Sequence, residues 1–159
     1  MADDTSLNIP AGASRIVPPV WMLLSMAMMG GIWYLVPGNQ LIVAPYTYLG
    51  GVIFVGGLAL AVYGKRQFDL VGTPVRPFAK MTSVVDTGPF RFSRNPMYLA
   101  MVMGLFGVGV LLGKVAPFVM VPLFMIWIVT RFIRYEERAM EAQFGEAYMD
   151  YKRRVRRWI

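Results

Sequence analysis

MYLAMVMGLFGVGVLLGKVAPFVMVPLFMIWIVT, residues 97–130, carries one charged side chain in 34 positions, Lys114 directly after Gly113. As a single helix it would run about 51 Å, far past a hydrocarbon core of about 30 Å. The stretch therefore predicts a hairpin of two helices, 97–112 and 115–130, turning at Gly113-Lys114. Pro117 falls in the first turn of the second arm, and Pro122 predicts a kink there. Working outward, residues 16–36 form a 21-residue uncharged run opening on Pro18-Pro19, which a first helical turn tolerates. A cleaved signal peptide is the rival reading of this run. Asp3 and Asp4 in the leader, and Ala11-Gly12-Ala13 placed before the run and not after it, argue against that. After the turn Pro37-Gly38-Asn39-Gln40, residues 41–64 make a further uncharged run that ends at Lys65-Arg66.

Composition agrees with these runs. Hydrophobic residues make up 57 % of the 159, charged residues 16 %, and mean hydropathy is +0.51, values that exclude an ordinary soluble enzyme and a disordered chain. The chain lacks Cys and His, so disulfides, thiolate chemistry, imidazole bases and the usual transition-metal sites are excluded, and no metal is expected. The +7 balance raises nucleic acid as a partner, but position argues otherwise. The basic residues gather at 65–94 and 131–157, on the flanks of apolar blocks, which is membrane topology and not a nucleic-acid groove. Putting both clusters on the cytoplasmic face leaves Lys114 outside and both termini inside. The expected architecture is thus all-α and integral to the membrane. It has four transmembrane helices (16–36, 41–64, 97–112, 115–130) and a C-terminal amphipathic cytoplasmic helix, in one domain spanning 1–159.

That last helix is read from Ile133, Met140, Phe144, Tyr148, Tyr151, Val155 and Trp158, which recur at steps of three, four or seven, with Gly145 weakening the middle. The bland reading lays it on the headgroups, with Trp158 at the boundary and Arg153, Arg154, Arg156 and Arg157 on anionic lipid. Glu136-Glu137 break the pattern. They follow Thr130 within two turns, and Glu137 lies on the apolar stripe, where an ionisable group marks a site with a partner. Arg134, three residues back, is the expected counter-ion if the pair is structural. A second departure is the segment 88–98, in which Asn95 can cap a helix that starts at Pro96 and Tyr98 sits one turn inside. Such a helix start offers N–H groups to an anionic ligand. Glycines 50, 51, 56, 57 and 64, with 104, 107 and 109, read as helix-packing positions.

In this order and spacing the motifs resemble one superfamily. Arg94-Asn95-Pro96-Met97-Tyr98 resembles the Arg-His-Pro-x-Tyr signature of membrane-embedded S-adenosylmethionine methyltransferases, the isoprenylcysteine carboxyl and phosphatidylethanolamine N-methyltransferases. Asn95 stands where many members have His. Glu136-Glu137, Phe144-Gly145, Tyr148 and Tyr151 are similar to its Glu-Glu and Phe-Gly-x-x-Tyr-x-x-Tyr ending. The resemblance covers 88–159 and implies a cofactor-binding half there, with S-adenosylmethionine bound and S-adenosylhomocysteine released. It implies Arg94, Asn95, Pro96, Met97, Tyr98, Glu136, Glu137, Phe144 and Tyr148 as cofactor residues, the two glutamates taking the ammonium or ribose hydroxyls. Glu137 is also carried into the catalytic set, with Arg131 and Arg134, which would orient an acidic acceptor or a lipid headgroup. The implied partners are the bilayer and a lipophilic acceptor (isoprenylcysteine carboxylate, phospholipid amine or a thiol), in a bacterial inner membrane or one of endoplasmic-reticulum type. Oligomeric state is not readable. The alternative is a non-catalytic four-helix partner or assembly protein. A small transporter is disfavoured, because 97–130 keeps no acid or base near the membrane centre.

Overall fold

A computed structural model of the chain describes residues 16–72 and 83–159. Among these residues every regular element is helical. Expectations that rest on the leader 1–15, or on Pro74, Arg76, Pro77 and Lys80, lie outside the described residues. The principal helices are α1 (Pro18–Leu35), α2 (Tyr48–Leu70), α3 (Pro96–Leu112), α4 (Met120–Ile128), α5 (Arg134–Phe144) and α6 (Glu146–Arg154). A 3₁₀ turn, Ala116–Val119, leads into α4, and a π turn, Val129–Ile133, joins α4 to α5 without interruption.

Three helical stretches are long and apolar enough to cross a membrane: Pro18–Leu35, Tyr48–Leu70 and Ala116–Phe144; α3 is apolar but shorter, at 17 residues. The expected hairpin is present. α3 ends at Gly113 in the left-handed region (φ 73°), and the chain turns back through the 3₁₀ segment. Two expected boundaries are corrected. The second span begins at Tyr48, not 41, because the Leu41 and Ile42 amides both bond the Gly113 carbonyl (2.8 and 3.0 Å) and Pro45 lies between them and the helix. It also runs six residues past Gly64, carried by the Lys65–Asp69 ion pair one turn apart (2.7 Å) and by burial of Gln67 and Phe68. The second arm of the hairpin does not stop at 130. Its helical rod continues to Phe144 over 29 residues, about 44 Å, so its end projects beyond an apolar core.

The expected single tail helix over 131–159 is likewise corrected. Gly145 adopts φ 52°, ψ −125°, a conformation that a side chain disfavours, and splits the tail into α5 and α6. The fold is held by two seams. α3 packs on α2 through some of the expected glycines: a Cβ on Gly50 would lie 2.4 Å from the Gly107 carbonyl oxygen, and one on Gly57 would lie 2.8 Å from that of Ala100, whereas Gly51 faces open space and Gly56 meets only the Met103 methyl at 3.9 Å. On its other side α3 meets the rod and α1, around the fully buried Met29, Leu105, Ile128, Phe132 and Ile133.

Candidate active site

The π turn sets the register of the site. A regular helix continuing from Ile128 would turn Phe132 and then residues 135–136 inward. The wider turn advances the inward line by about one residue, so Phe132 and Ile133 are both fully buried and Glu137 follows at 6 % exposure. A buried carboxylate needs compensation, and Glu137 has it in full. Its Oε1 accepts from Arg94 Nε (3.3 Å) and Nη2 (3.0 Å) and from Arg157 Nε (3.1 Å), while its Oε2 accepts from Arg157 Nη2 (2.6 Å). The expected Arg134–Glu137 pair does not form; Arg134 is exposed, and both oxygens of Glu137 are taken by Arg94 and Arg157.

Arg94 is as buried as its partner (side chains 8 % and 7 % exposed), and its Nη1 donates to two main-chain carbonyls, Lys152 O (3.2 Å) and Val155 O. Around this ion cluster the chain end crosses the start of α3. The Arg94 amide donates to Arg156 O (2.9 Å), and Ser93 Oγ (3.3 Å) and Asn95 Nδ2 (3.2 Å) both donate to Arg157 O. α6 completes the strap: Tyr148, Tyr151 and Val155 are buried against Val84, Met140 and Phe144, and the Tyr151 hydroxyl bonds Phe90 O (2.8 Å). The tail therefore folds back onto the protein. Trp158 packs on the main core, and Arg157 binds Glu137. Pairing with Glu137 raises the Arg157 pKa above its ordinary value, so the cation is permanent.

Beside the cluster lies a cavity of about 380 Å³, within the range of about 300–1,000 Å³ used by small-molecule sites. Arg94, Asn95, Pro96, Met97, Tyr98, Glu136, Glu137 and Tyr148 all border it. Phe144, Arg131 and Arg134 do not. Phe144 packs within the α5–α6 corner, and Arg131 lies over the Trp127 ring at 5.0 Å. The apolar walls were not legible in the sequence: Val17, Pro18 and Pro19 at the start of α1, Met101 from α3, Met140 from α5, and Phe68 and Phe90, which meet edge to face at 5.1 Å. No local pattern marks these residues, since each sits at an ordinary packing position in its own element.

The polar groups of the cavity are unequally committed. Glu136 Oε1 accepts from the Tyr98 hydroxyl (2.9 Å), its one hydrogen-bond partner among the described residues, so its second oxygen remains open. Burial, and then the charge of Glu137, pushes the Tyr148 phenol up to about 12, which keeps it a protonated donor. Asn95 does not cap α3. Its side chain serves the strap and its amide bonds Ser93 Oγ (3.1 Å). Pro96 has no N–H, and the Leu99 amide bonds Asn95 O (2.9 Å), so the open first-turn donors are those of Met97 and Tyr98. Among the described residues, no acidic cluster could hold a metal ion.

The cavity thus offers one open carboxylate, two open amides and phenol hydroxyls inside an apolar shell at the end of a helical membrane bundle. A family model described as phospholipid methyltransferase matches residues 46–147, from just before α2 to the start of α6. No curated protein and no solved structure matches. A match over more than half of the chain, joined to apolar helices of spanning length, makes the protein a member of the phospholipid methyltransferase family.

Proposed function

We propose that the protein transfers a methyl group from S-adenosylmethionine to a lipophilic amine that reaches the cavity from the bilayer. The observation that carries this reading is Glu136, a carboxylate inside an apolar cavity with one oxygen held by Tyr98 at 2.9 Å and the other without a partner among the described residues. A carboxylate so placed is costly without a cationic or hydroxyl-rich ligand. The cofactor, when bound, supplies a methyl group on a sulfonium. Glu136 would hold its ammonium or ribose hydroxyls, the Met97 and Tyr98 amides its carboxylate, and the Tyr98 and Tyr148 rings would flank the cationic centre. Glu137, saturated by two guanidinium groups, would hold the site together and not contact the ligand.

The remaining walls do two jobs. Met101, Met140 and Pro18 exclude water from the line of displacement, and they offer an apolar approach for an acyl or prenyl tail. Charge supports an amine over a carboxylate as acceptor. Among the described residues Arg94 is the one cation bordering the cavity, and four of its five N–H donors are spent on Glu137 and two carbonyls. A carboxylate acceptor would find its charge opposed by Glu136 and little positive charge to offset it, whereas an amine needs no counter-charge and has only to be neutral when it attacks. We place the cofactor half at 88–159 within a single domain of four spans, with both termini cytoplasmic, because the basic clusters flank the apolar runs on one side. A reporter fused after Ile159 should accordingly read cytoplasmic.

Titration calorimetry of the detergent-purified protein with S-adenosylhomocysteine tests the reading. Saturable binding is expected, weakened at least tenfold, or about 1.4 kcal/mol, by Glu136→Gln. An absence of binding to the folded wild-type protein would end it.

A further inference from the structure

Arg157 lies outside the residues matched by the family model, yet it holds both halves of the cavity's central hydrogen bond. Its guanidinium grips Glu137 (3.1 and 2.6 Å), the residue next to Glu136 on α5. Its carbonyl accepts from Ser93 Oγ and Asn95 Nδ2, on the segment that leads into Tyr98. Glu136 and Tyr98 are 38 residues apart and meet at 2.9 Å. The helices carrying them are joined at this level by Arg94, with its bonds to Glu137 and to the carbonyls of the chain end, and by Arg157. The guanidinium of Arg157 reaches the cluster from the outside, with its side chain 36 % exposed against 7 % for Glu137. Two other arginines of the tail differ. Arg153 pairs with Glu146 and Asp150 on the surface, and Arg154 reaches Asp86 at 3.8 Å.

We propose that Arg157 is a positioning residue: it fixes the Glu136–Tyr98 pair by bridging α5, through Glu137, to the start of α3. It touches no ligand. A bidentate guanidinium–carboxylate pair defines orientation as well as distance, which a lysine at the same position would do less well. Loss of the guanidinium leaves Arg94 on Glu137, so the protein retains its buried ion pair and its fold. What it loses is the second anchor that stops α5 from turning relative to α3. The inference rests on the proposed cofactor site for its functional readout and on the Tyr98 environment for a readout independent of that site.

The test uses the full chain in detergent. S-adenosylhomocysteine binding is measured by calorimetry for the wild type, Arg157→Gln, Arg157→Lys, Glu137→Gln and the Glu137→Gln/Arg157→Gln double variant. In parallel, 3-fluorotyrosine at position 98 is followed by ¹⁹F resonance without ligand. Arg157→Gln should weaken binding at least tenfold, Arg157→Lys should recover part of that loss, and the double variant should bind no worse than Glu137→Gln. The Tyr98 resonance should shift or broaden in Arg157→Gln. Wild-type binding left unchanged by Arg157→Gln overturns the inference and spares the function, as do losses that multiply in the double variant. If the wild type does not bind, the functional reading falls; an unmoved Tyr98 resonance in Arg157→Gln then overturns the positioning role as well, and a moved one sustains it. Should Arg157→Gln fail to fold, Arg157→Lys carries the same two readouts, and no change in either overturns the proposal.

Discussion

The α2–α3 seam and the Arg94–Glu137–Arg157 cluster solve opposite problems. In the seam Gly50, Gly57, Gly104 and Gly107 bring backbones into contact with nothing polar between them. In the cluster two guanidinium groups surround one carboxylate and tie three distant parts of the chain together. Van der Waals contact fails abruptly when a methyl group is added, because a backbone cannot step aside. A hydrogen-bonded ion cluster fails by degrees, because each lost partner leaves others in place. The seam therefore tolerates almost no change in size, and the cluster tolerates changes in size better than changes in charge.

The largest effect is expected in the seam. Gly50→Leu would place a Cβ 2.4 Å from Gly107 O and 2.6 Å from the Leu111 amide nitrogen, both backbone atoms. Overpacking of this kind should exceed the usual cost of about 1–3 kcal/mol, and no monodisperse protein should survive size-exclusion chromatography. Gly51→Ala is the matched control. Its Cβ would meet nothing within 4 Å, and by helix propensity it should raise the melting temperature slightly. If Gly50→Leu purifies and melts like the wild type, the close approach is not what holds the seam.

The cluster should answer next. Arg94→Met removes two contacts to Glu137 and two to main-chain carbonyls. Breaking a buried pair typically costs about 3–5 kcal/mol, and because Arg157 stays on Glu137 the lower end is expected. Thermal unfolding of Arg94→Met beside Arg157→Gln, which should be milder, measures the difference between the buried and the half-exposed arm. Equal losses would mean that the two arms are equivalent, against the difference in their exposure.

These two regions were unequally legible in the sequence. The seam was readable because size is a local property: glycines at seven-residue spacing in an apolar run allow few other roles. The hairpin at Gly113 and the departure of Glu137 from its stripe were readable for the same reason. Partnership is not local. Arg134, three residues from Glu137, was the natural counter-ion by helix geometry, whereas the actual ones lie 43 and 20 residues away. The start at 41 was not legible because the bonds that hold Leu41 and Ile42 out of the helix go to Gly113, 72 and 71 residues away, and the end at 64 was not legible because a charge marks a boundary only when it has no partner on the same helix. There Lys65 pairs with Asp69 and lets the helix continue. The split at Gly145 was visible only as a weak point, since composition does not reveal a positive φ.

Within the cavity the effects should be smaller and should fall on binding. Tyr98→Phe deletes the one hydroxyl on Glu136 while keeping the ring. S-adenosylhomocysteine should bind several-fold more weakly, while the melting temperature changes little. A variant that loses stability and keeps its affinity would turn the Tyr98–Glu136 bond into a structural tie.

The smallest effect separates two roles for Asn95. As a helix cap, Asn95 should be replaceable by Asp, which ranks beside Asn at that position. As a tie to the strap it must donate, since Nδ2 faces the Arg157 carbonyl at 3.2 Å and the α3 cap position carries no side-chain bond. Asn95→Asp would set a carboxylate oxygen against that carbonyl and should destabilise by more than Asn95→Leu, for which the loss of one hydrogen bond costs about 1 kcal/mol. Asn95→His keeps a ring N–H and should lie closest to the wild type. The order His, Leu, Asp in melting temperature marks the tie, and Asp at the top marks the cap. The same order should appear in ligand affinity if the strap holds the start of α3 for Tyr98, because the carbonyl that Asn95 grips belongs to the residue whose guanidinium grips Glu137.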